Sequence, residues 1–220
     1  MSPRANGLYR DRHGEPRMTG WFPVALSMDV PAGTAAPARL SGKEIALWRG
    51  TDGEIHAWED RCPHRGMRLS FGFVRNENLA CLYHGWQFGA DSTCRHIPAH
   101  PELRVPGTIR ATAYQVQERC GMIWVSLDEK PSLSHLPEGE ASGVRSLLVQ
   151  VPLQTARTSL NMEASNWKQQ DNCLFAVHEP AVGLTMLHVT SWTVAGQREA
   201  ARQAVQLRDR LEAIKETVSA

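Results

Sequence analysis

Residues 21–127 form short runs in which apolar and polar positions alternate. In "EIALWRG-TDG-EIHAWED" two such runs flank a Gly-bounded turn, which predicts a β-hairpin. The stretches "WQFGADSTCRHIP" and "YQVQERCGMIWVSL" repeat the pattern, with turns at "GADS" and "ERCG". Because no segment of helical period interrupts these runs, the pattern predicts a compact antiparallel β domain over residues 21–127.

The segments on either side of this domain differ from it in composition. Residues 1–20 are polar and Arg-rich, which predicts a loose N-terminal arm. Residues 128–143 are rich in Pro, Gly, Ser and Glu and have no apolar period, so they are predicted to be a linker. Residues 144–220 then form a second, C-terminal part.

The C-terminal part combines strand patterns with a helix. "RSLLVQVPL" is predicted to be a strand, and "CLFAVHEP" and "GLTMLHVTSWTV" are predicted to be paired strands. Apolar residues then recur at helical spacing, at Ala200, Ala204, Leu207, Leu211, Ile214 and Val218. This stripe either packs on the chain's own sheet, the interpretation we favour, or forms an intermolecular coiled coil.

Composition and charge narrow the functional classes. Hydrophobic residues make up 42% of the chain and the formal net charge is +1, so bulk charge indicates neither a nucleic-acid nor a membrane partner. No apolar run resembles a signal peptide or a membrane span. The five cysteines are an odd number without an export signal, which argues against a disulfide framework. We therefore expect a cytoplasmic protein whose thiols are free to bind metal.

Two short segments each pair one cysteine with one histidine: Cys62-Pro-His64 and Cys81-Leu-Tyr-His84. A structural zinc site is one interpretation, although zinc modules usually pair Cys with Cys and His with His. One Cys and one His from each segment suit a two-iron cluster, in which one iron takes both thiolates and the other both imidazoles. The pattern therefore favours a [2Fe-2S] cluster on these four residues.

The pattern C-x-H, sixteen residues, C-x2-H resembles the Rieske [2Fe-2S] family. The resemblance extends from Trp21 to Leu127, including "WFPVALSMDVP" and "GMIWVSL", and "CPHRG" and "YHGW" are similar to terminal-oxygenase α subunits. It implies that Cys62 and Cys81 hold the inner iron and that His64 and His84 hold the outer one. High-potential relatives carry an extra Cys in each loop; this chain has none, so we expect a low potential.

Rieske oxygenases also need a mononuclear iron, which the family holds with two His and one carboxylate on a helix-grip domain. The chain has "NWKQQDNCLFAVHEPAVGLTMLH", in which Asn166, Trp167, Lys168, Asp171, Asn172 and His178 resemble the family pattern. One residue is missing after Lys168, Gly183 stands where the second His belongs, and His188 follows five residues later. His178 and His188 are therefore either iron ligands or, as we favour, residues of two paired strands.

These expectations give a fold that is mainly β with an α+β C-terminal part: a Rieske antiparallel β domain, then a shortened helix-grip-like segment ending in a long helix. The resemblance implies a component of a hydroxylating or demethylating oxygenase system. A flavin or ferredoxin-type reductase would supply electrons, and a mononuclear Fe(II) would lie on this chain or on an oxygenase partner subunit, which could be another copy. A stand-alone electron carrier and a complete oxygenase with an atypical iron site are the alternatives.

Overall fold

A computed structural model describes residues 8–10, 16–162 and 164–218 of the chain, which divide into two compact units. We call residues 29–39 and 43–116 the loop unit, and residues up to 28, 40–42 and from 117 onward the helix unit. The strands are β1 (Leu8–Arg10), β2 (Pro16–Met18), β3 (Phe22–Leu26), β4 (Ala35–Leu40), β5 (Lys43–Arg49), β6 (Ile55–Glu59), β7 (Phe73–Arg75), β8 (Asn78–Ala80), β9 (Gln87–Gly89), β10 (Cys94–His96), β11 (Ala113–Arg119), β12 (Met122–Ser126), β13 (Ser142–Val149), β14 (Trp167–Gln170), β15 (Cys173–His178) and β16 (Thr185–Ser191). The α-helices are α1 (Leu153–Ser159) and α2 (Gln197–Val218).

The loop unit is built from antiparallel hairpins. β5 pairs with β6, with Ala46 opposite Trp58, which confirms the hairpin predicted from the alternating runs. The short strands β7 to β10 form a second sheet in the order β10-β9-β8-β7. No α-helix lies in the described part of residues 21–127, so the predicted antiparallel β architecture is confirmed.

A hydrophobic core lies beneath the two Cys/His segments of the loop unit. Trp48 and Trp58 meet edge to face, with ring centroids 5.0 Å apart, and both are buried. Phe88 meets Trp58 in the same edge-to-face manner. Such aromatic pairs combine a large buried area with a preferred geometry, so they give the loops above them a rigid base.

The helix unit contains an antiparallel sheet in the order β13-β16-β15-β14, with α2 packed against it. Ala200, Ala204 and Leu211 are buried in the core between helix and sheet, and Leu207 and Ile214 are partly buried there. The helix therefore packs on the chain's own sheet, as the favoured interpretation predicts. The fold class is confirmed: mainly β, with an α+β C-terminal part that ends in a long helix.

Some features of the fold differ from the sequence-based expectations. In the predicted loose arm, β1 and β2 pair as an antiparallel two-stranded ribbon, while residues 1–7 and 11–15 lie outside the described residues. The helix α1 and the strand β14 were not predicted. The compact units place residues 21–28 and 128–143 in the helix unit, whereas composition assigns 21–28 to the β domain and 128–143 to a linker; the domain boundaries stay a prediction. No helix among the described residues is long and apolar enough to cross a membrane.

Candidate metal centre

The first Cys/His segment lies between β6 and β7 and folds into a closed turn. The carbonyl oxygen of Cys62 accepts a hydrogen bond from the Gly66 amide at 2.8 Å, and the Cys62 amide donates to the Met67 carbonyl at 2.8 Å. Gly66 has φ of +72°, a conformation that glycine adopts without a steric cost. The sequence "CPHRGM" therefore specifies a closed turn that carries both Cys62 and His64.

The second segment, between β8 and β9, has the same backbone arrangement. The Cys81 carbonyl accepts from the Gly85 amide at 3.0 Å, and the Cys81 amide donates to the Trp86 carbonyl at 2.9 Å. Gly85 has φ of +69°, and a Cβ atom there would lie 3.0 Å from Cγ of Pro98. Both the backbone conformation and the close approach of Pro98 therefore favour glycine here, and the two loops have matching backbone hydrogen bonds.

The two thiols lie on the inner side of the loops. Cys62 and Cys81 are each only 2% exposed, and their side chains interact with each other. Burial, with the neighbouring Cys81 thiol adding to it, raises the pKa of Cys62 to about 12, although the backbone N–H groups of His64 and Arg65 point at its sulfur and act in the opposite direction. A metal that binds here must therefore displace thiol protons, as thiolate ligation requires.

The two imidazoles lie on the outer side. His64 is half-buried and His84 is exposed, and their ring centroids are 4.7 Å apart. The four predicted donors are thus sorted by type, with sulfur inside and nitrogen outside, and each loop contributes one of each. This arrangement fits a two-iron centre with one thiolate-bound and one imidazole-bound iron.

Each imidazole is packed against an aromatic ring. The Trp86 indole stacks on His64, with centroids 4.2 Å apart and 5° between the planes. Tyr83 lies against His84 at a centroid distance of 3.8 Å. The contact of Trp86 with the histidine of the other loop was not predicted from the sequence.

The structure places His178 and His188 on the paired strands β15 and β16, as the strand interpretation predicts. Both are buried, and Nε2 of His188 lies 3.2 Å from Nδ1 of His178. Nδ1 of His188 lies 2.8 Å from the Ser146 hydroxyl. Burial, followed by the nearby His178, lowers the pKa of His188 well below its usual value. Among the described residues, no third His, Cys, Asp or Glu side chain is placed with His178 and His188 to complete a site for a single metal ion.

The residues that resemble the family's iron-site pattern are not brought together. Asp171 lies in an exposed two-residue turn between β14 and β15, with φ of +51°, whereas His178 ends β15. Asn166 is buried and donates from Nδ2 to the Trp21 carbonyl at 3.1 Å. In this chain the pattern therefore forms a β-hairpin, and iron binding by His178 and His188 stays the alternative that we do not favour.

The comparison with known proteins agrees with this geometry. Residues 20–108 match the Rieske [2Fe-2S] domain. The chain carries a Rieske [2Fe-2S] domain. It is 40% identical over 112 residues to oxidoreductase NdmD of Pseudomonas putida, covering 50% of this chain and 19% of NdmD. It is 32% identical over 152 residues to the 3-chlorobenzoate-3,4-dioxygenase oxygenase subunit of Comamonas testosteroni, covering 68% of this chain and 33% of that subunit.

The chain therefore spans only about a fifth to a third of the length of these relatives. Its fold is similar to the crystal structure of apo dicamba monooxygenase, with a TM-score of 0.72, over 90% of this chain and 86% of that one. The sequences are 15% identical, so this similarity concerns the fold alone. The Rieske domain implies a [2Fe-2S] cofactor, and the paired loops have the donor chemistry to bind it.

Proposed function

We propose that this chain is an oxygenase-type Rieske protein within a Rieske non-haem iron oxygenase system. It takes single electrons from a flavin or ferredoxin-type reductase and passes them to a mononuclear iron, which we place on another subunit. The reaction served is hydroxylation or demethylation of an organic substrate. The similarity to a dioxygenase oxygenase subunit supports the oxygenase class.

The observation that carries the proposal is the sorting of donors between the two loops. We assign Cys62 and Cys81 to the inner iron and His64 and His84 to the outer iron. When bound, the cluster supplies reversible one-electron chemistry. The protein contributes the buried thiol pair, backbone N–H groups directed at the Cys62 sulfur, and imidazole edges that face outward. Electrons are therefore expected to enter and leave on the histidine side.

The mononuclear iron is assigned to another subunit because of the contacts of the histidine pair in the helix unit. The two ring nitrogens of His188 lie within hydrogen-bond distance of Ser146 and His178. Both nitrogens therefore already have partners within the sheet. Among the described residues, no Asp or Glu side chain is placed with these two histidines to form a metal site. A facial triad would need a carboxylate beside the two imidazoles.

Reductive titration and co-purification together test this function. Anaerobic titration of the holoprotein should consume one electron per chain and bleach its visible absorption. An affinity-tagged chain isolated from its native cells should bring with it a second, iron-binding subunit. Recovery with a reductase alone would favour a stand-alone carrier, and substrate oxidation by the isolated chain would indicate a complete oxygenase; either result would contradict the proposal.

A further inference from the structure

Three arginines surround the first loop on its outer side. Arg61, Arg65 and Arg110 line one recess of about 230 Å³, together with Cys62 and His64. All three side chains are exposed. We call these three residues the arginine rim. The formal charge of the whole chain is only +1, so the rim is a local concentration of positive charge beside the proposed cluster.

The arginine rim is held on well-anchored backbone. Arg61 precedes Cys62, whose amide is bonded to Met67, and Arg65 lies inside the same closed turn. Arg110 is separated from them in sequence but is bridged to Thr93, and the next residue, Ala111, donates to the Ser92 carbonyl at 2.9 Å. The backbone positions of the three arginines around the recess are therefore fixed.

Among the described residues, no ion pair within 4.0 Å involves an arginine of the rim. The ion pairs there involve other arginines, such as Arg95 with Asp91 and Arg39 with Glu44. Within the recess, Glu59 is the carboxylate that lines the wall with the three arginines, so positive charge remains in excess. Exposed arginines that outnumber the neighbouring carboxylates attract negatively charged partners over a distance of several ångströms.

An apolar surface adjoins the arginine rim on the second loop. Leu82 and Tyr83 are consecutive residues and are each 55% exposed, so together they form a small apolar patch at the tip of this loop. Tyr83 contacts His84, and His84 contacts His64, so this surface is continuous with the imidazole pair. An exposed apolar centre with a charged border is the usual composition of a transient protein interface.

We propose that the arginine rim, together with Leu82 and Tyr83, docks an acidic one-electron carrier of the ferredoxin class. The proposal rests on the proposed function and names the class of its electron donor. In each encounter the reduced carrier loses one electron and the protein gains one, and no atom is transferred. Negative charge on the carrier steers it toward the rim, and contact with the apolar surface brings the two redox centres together.

Stopped-flow reduction tests the docking site on the cluster-loaded, full-length chain. The probe is a reduced, acidic plant-type [2Fe-2S] ferredoxin, mixed with the oxidised protein at about 20 mM and about 500 mM salt. The test variant is the triple Arg61→Gln, Arg65→Gln, Arg110→Gln. The matched control is Arg39→Gln, Arg75→Gln, Arg95→Gln, which removes three exposed arginines of the loop unit that do not line the recess. Midpoint potentials of all proteins are measured, because Arg65 adjoins His64.

We expect the wild-type second-order rate constant to fall about tenfold or more at high salt, as electrostatic steering requires. At low salt, the rate constant of the test triple should be lower than that of the wild type by a similar factor. The rate constant of the control triple should stay within about twofold of the wild-type value. Arg110→Gln, which is remote in sequence from the proposed ligands, is also measured alone in case the triple does not load a cluster. Its rate constant should be several-fold lower than that of the wild type.

Three results would overturn the docking site: a salt-independent wild-type rate, equal rates for the test and control triples, or no reduction of the wild type by ferredoxin. These failures differ from failure of the proposed function. A protein that binds no [2Fe-2S] cluster fails the proposed function itself. A loaded protein that dithionite reduces normally, but whose rim variants behave like wild type with ferredoxin, fails only the docking proposal.

Discussion

The Trp86 indole lies parallel to the His64 imidazole, with ring centroids 4.2 Å apart and 5° between the planes. The two residues belong to different loops, so this stack joins the loops on the outer side of the proposed centre. On the inner side the same connection is made by Cys62 and Cys81. Packing between the loops therefore fixes the relative positions of the proposed ligands, in addition to the metal that they would bind.

Loss of the Trp86 ring should weaken retention of the cluster. A stacked aromatic pair contributes about 0.5–1.5 kcal/mol beyond its buried area, so Trp86→Leu should lose iron to a chelator several-fold faster than wild type. Trp86→Phe should recover most of this loss. Tyr83→Leu is the control, because Tyr83 contacts the histidine next to it and does not join the loops. Equal rates of iron loss for the Leu variants at both positions would contradict the role given to the stack.

Removing any proposed ligand should abolish the cluster. Cys62→Ser, His64→Ala, Cys81→Ser and His84→Ala should each lose the visible absorption of the oxidised protein and lower the thermal stability of the loops, since metal binding contributes to folding. Cys94→Ala is the matched control, because Cys94 is buried in the same core but is not a proposed ligand. A ligand variant that kept the wild-type spectrum would exclude that residue.

The midpoint potential should lie near the low end of the Rieske range, at about −150 mV. The reason is the composition of the loops: neither contains a second cysteine, and the cysteines of the chain are free. Protein-film voltammetry measures this value directly. A midpoint well above about +100 mV would contradict the assignment to the oxygenase type.

The buried histidine pair should make stability depend on pH. His188 faces His178, the Ser146 hydroxyl and the Pro23 carbonyl, and its pKa is lowered mainly by burial. Below the ordinary histidine pKa of about 6.5 the unfolded chain binds a proton that the folded chain does not, so stability is full above this pH and falls as the pH decreases through it.

Thermal unfolding of His188→Gln should therefore show a smaller decrease in Tm between about pH 7.5 and pH 5 than the wild type does. His100→Gln, at an exposed position, is the control and should keep the wild-type slope. If Tm decreased with pH by the same amount in wild type and His188→Gln, the histidine pair would not take up protons on unfolding, and the prediction would be wrong.

The features that could be predicted from sequence depend on local pattern. The hairpin β5–β6 follows from alternation around a Gly-bounded turn, and α2 follows from the apolar stripe that includes Ala204 and Leu211. The four proposed ligands follow from spacing within two short segments. In each case the information lies within a few residues, so no knowledge of distant contacts is needed.

The features that were missed depend on contacts between distant segments. Arg61 and Arg65 are visible in "RCPHRG", but Arg110 joins them only through its bridge to Thr93. The stack of Trp86 on His64 likewise requires the two loops to meet. For His178 and His188, the similarity to the iron-site pattern and the strand pattern pointed to different structures, and the buried β-pairing decided the local structure.

The most direct test of the account is the amount of iron, acid-labile sulfide and zinc per chain in anaerobically purified protein. Wild type, His178→Ala and His188→Ala should each contain two irons and two sulfides, because the proposed cluster uses neither histidine. Stoichiometric zinc without sulfide would contradict the cluster. A third iron in the wild type that disappears in both histidine variants would contradict the assignment of the mononuclear iron to another subunit.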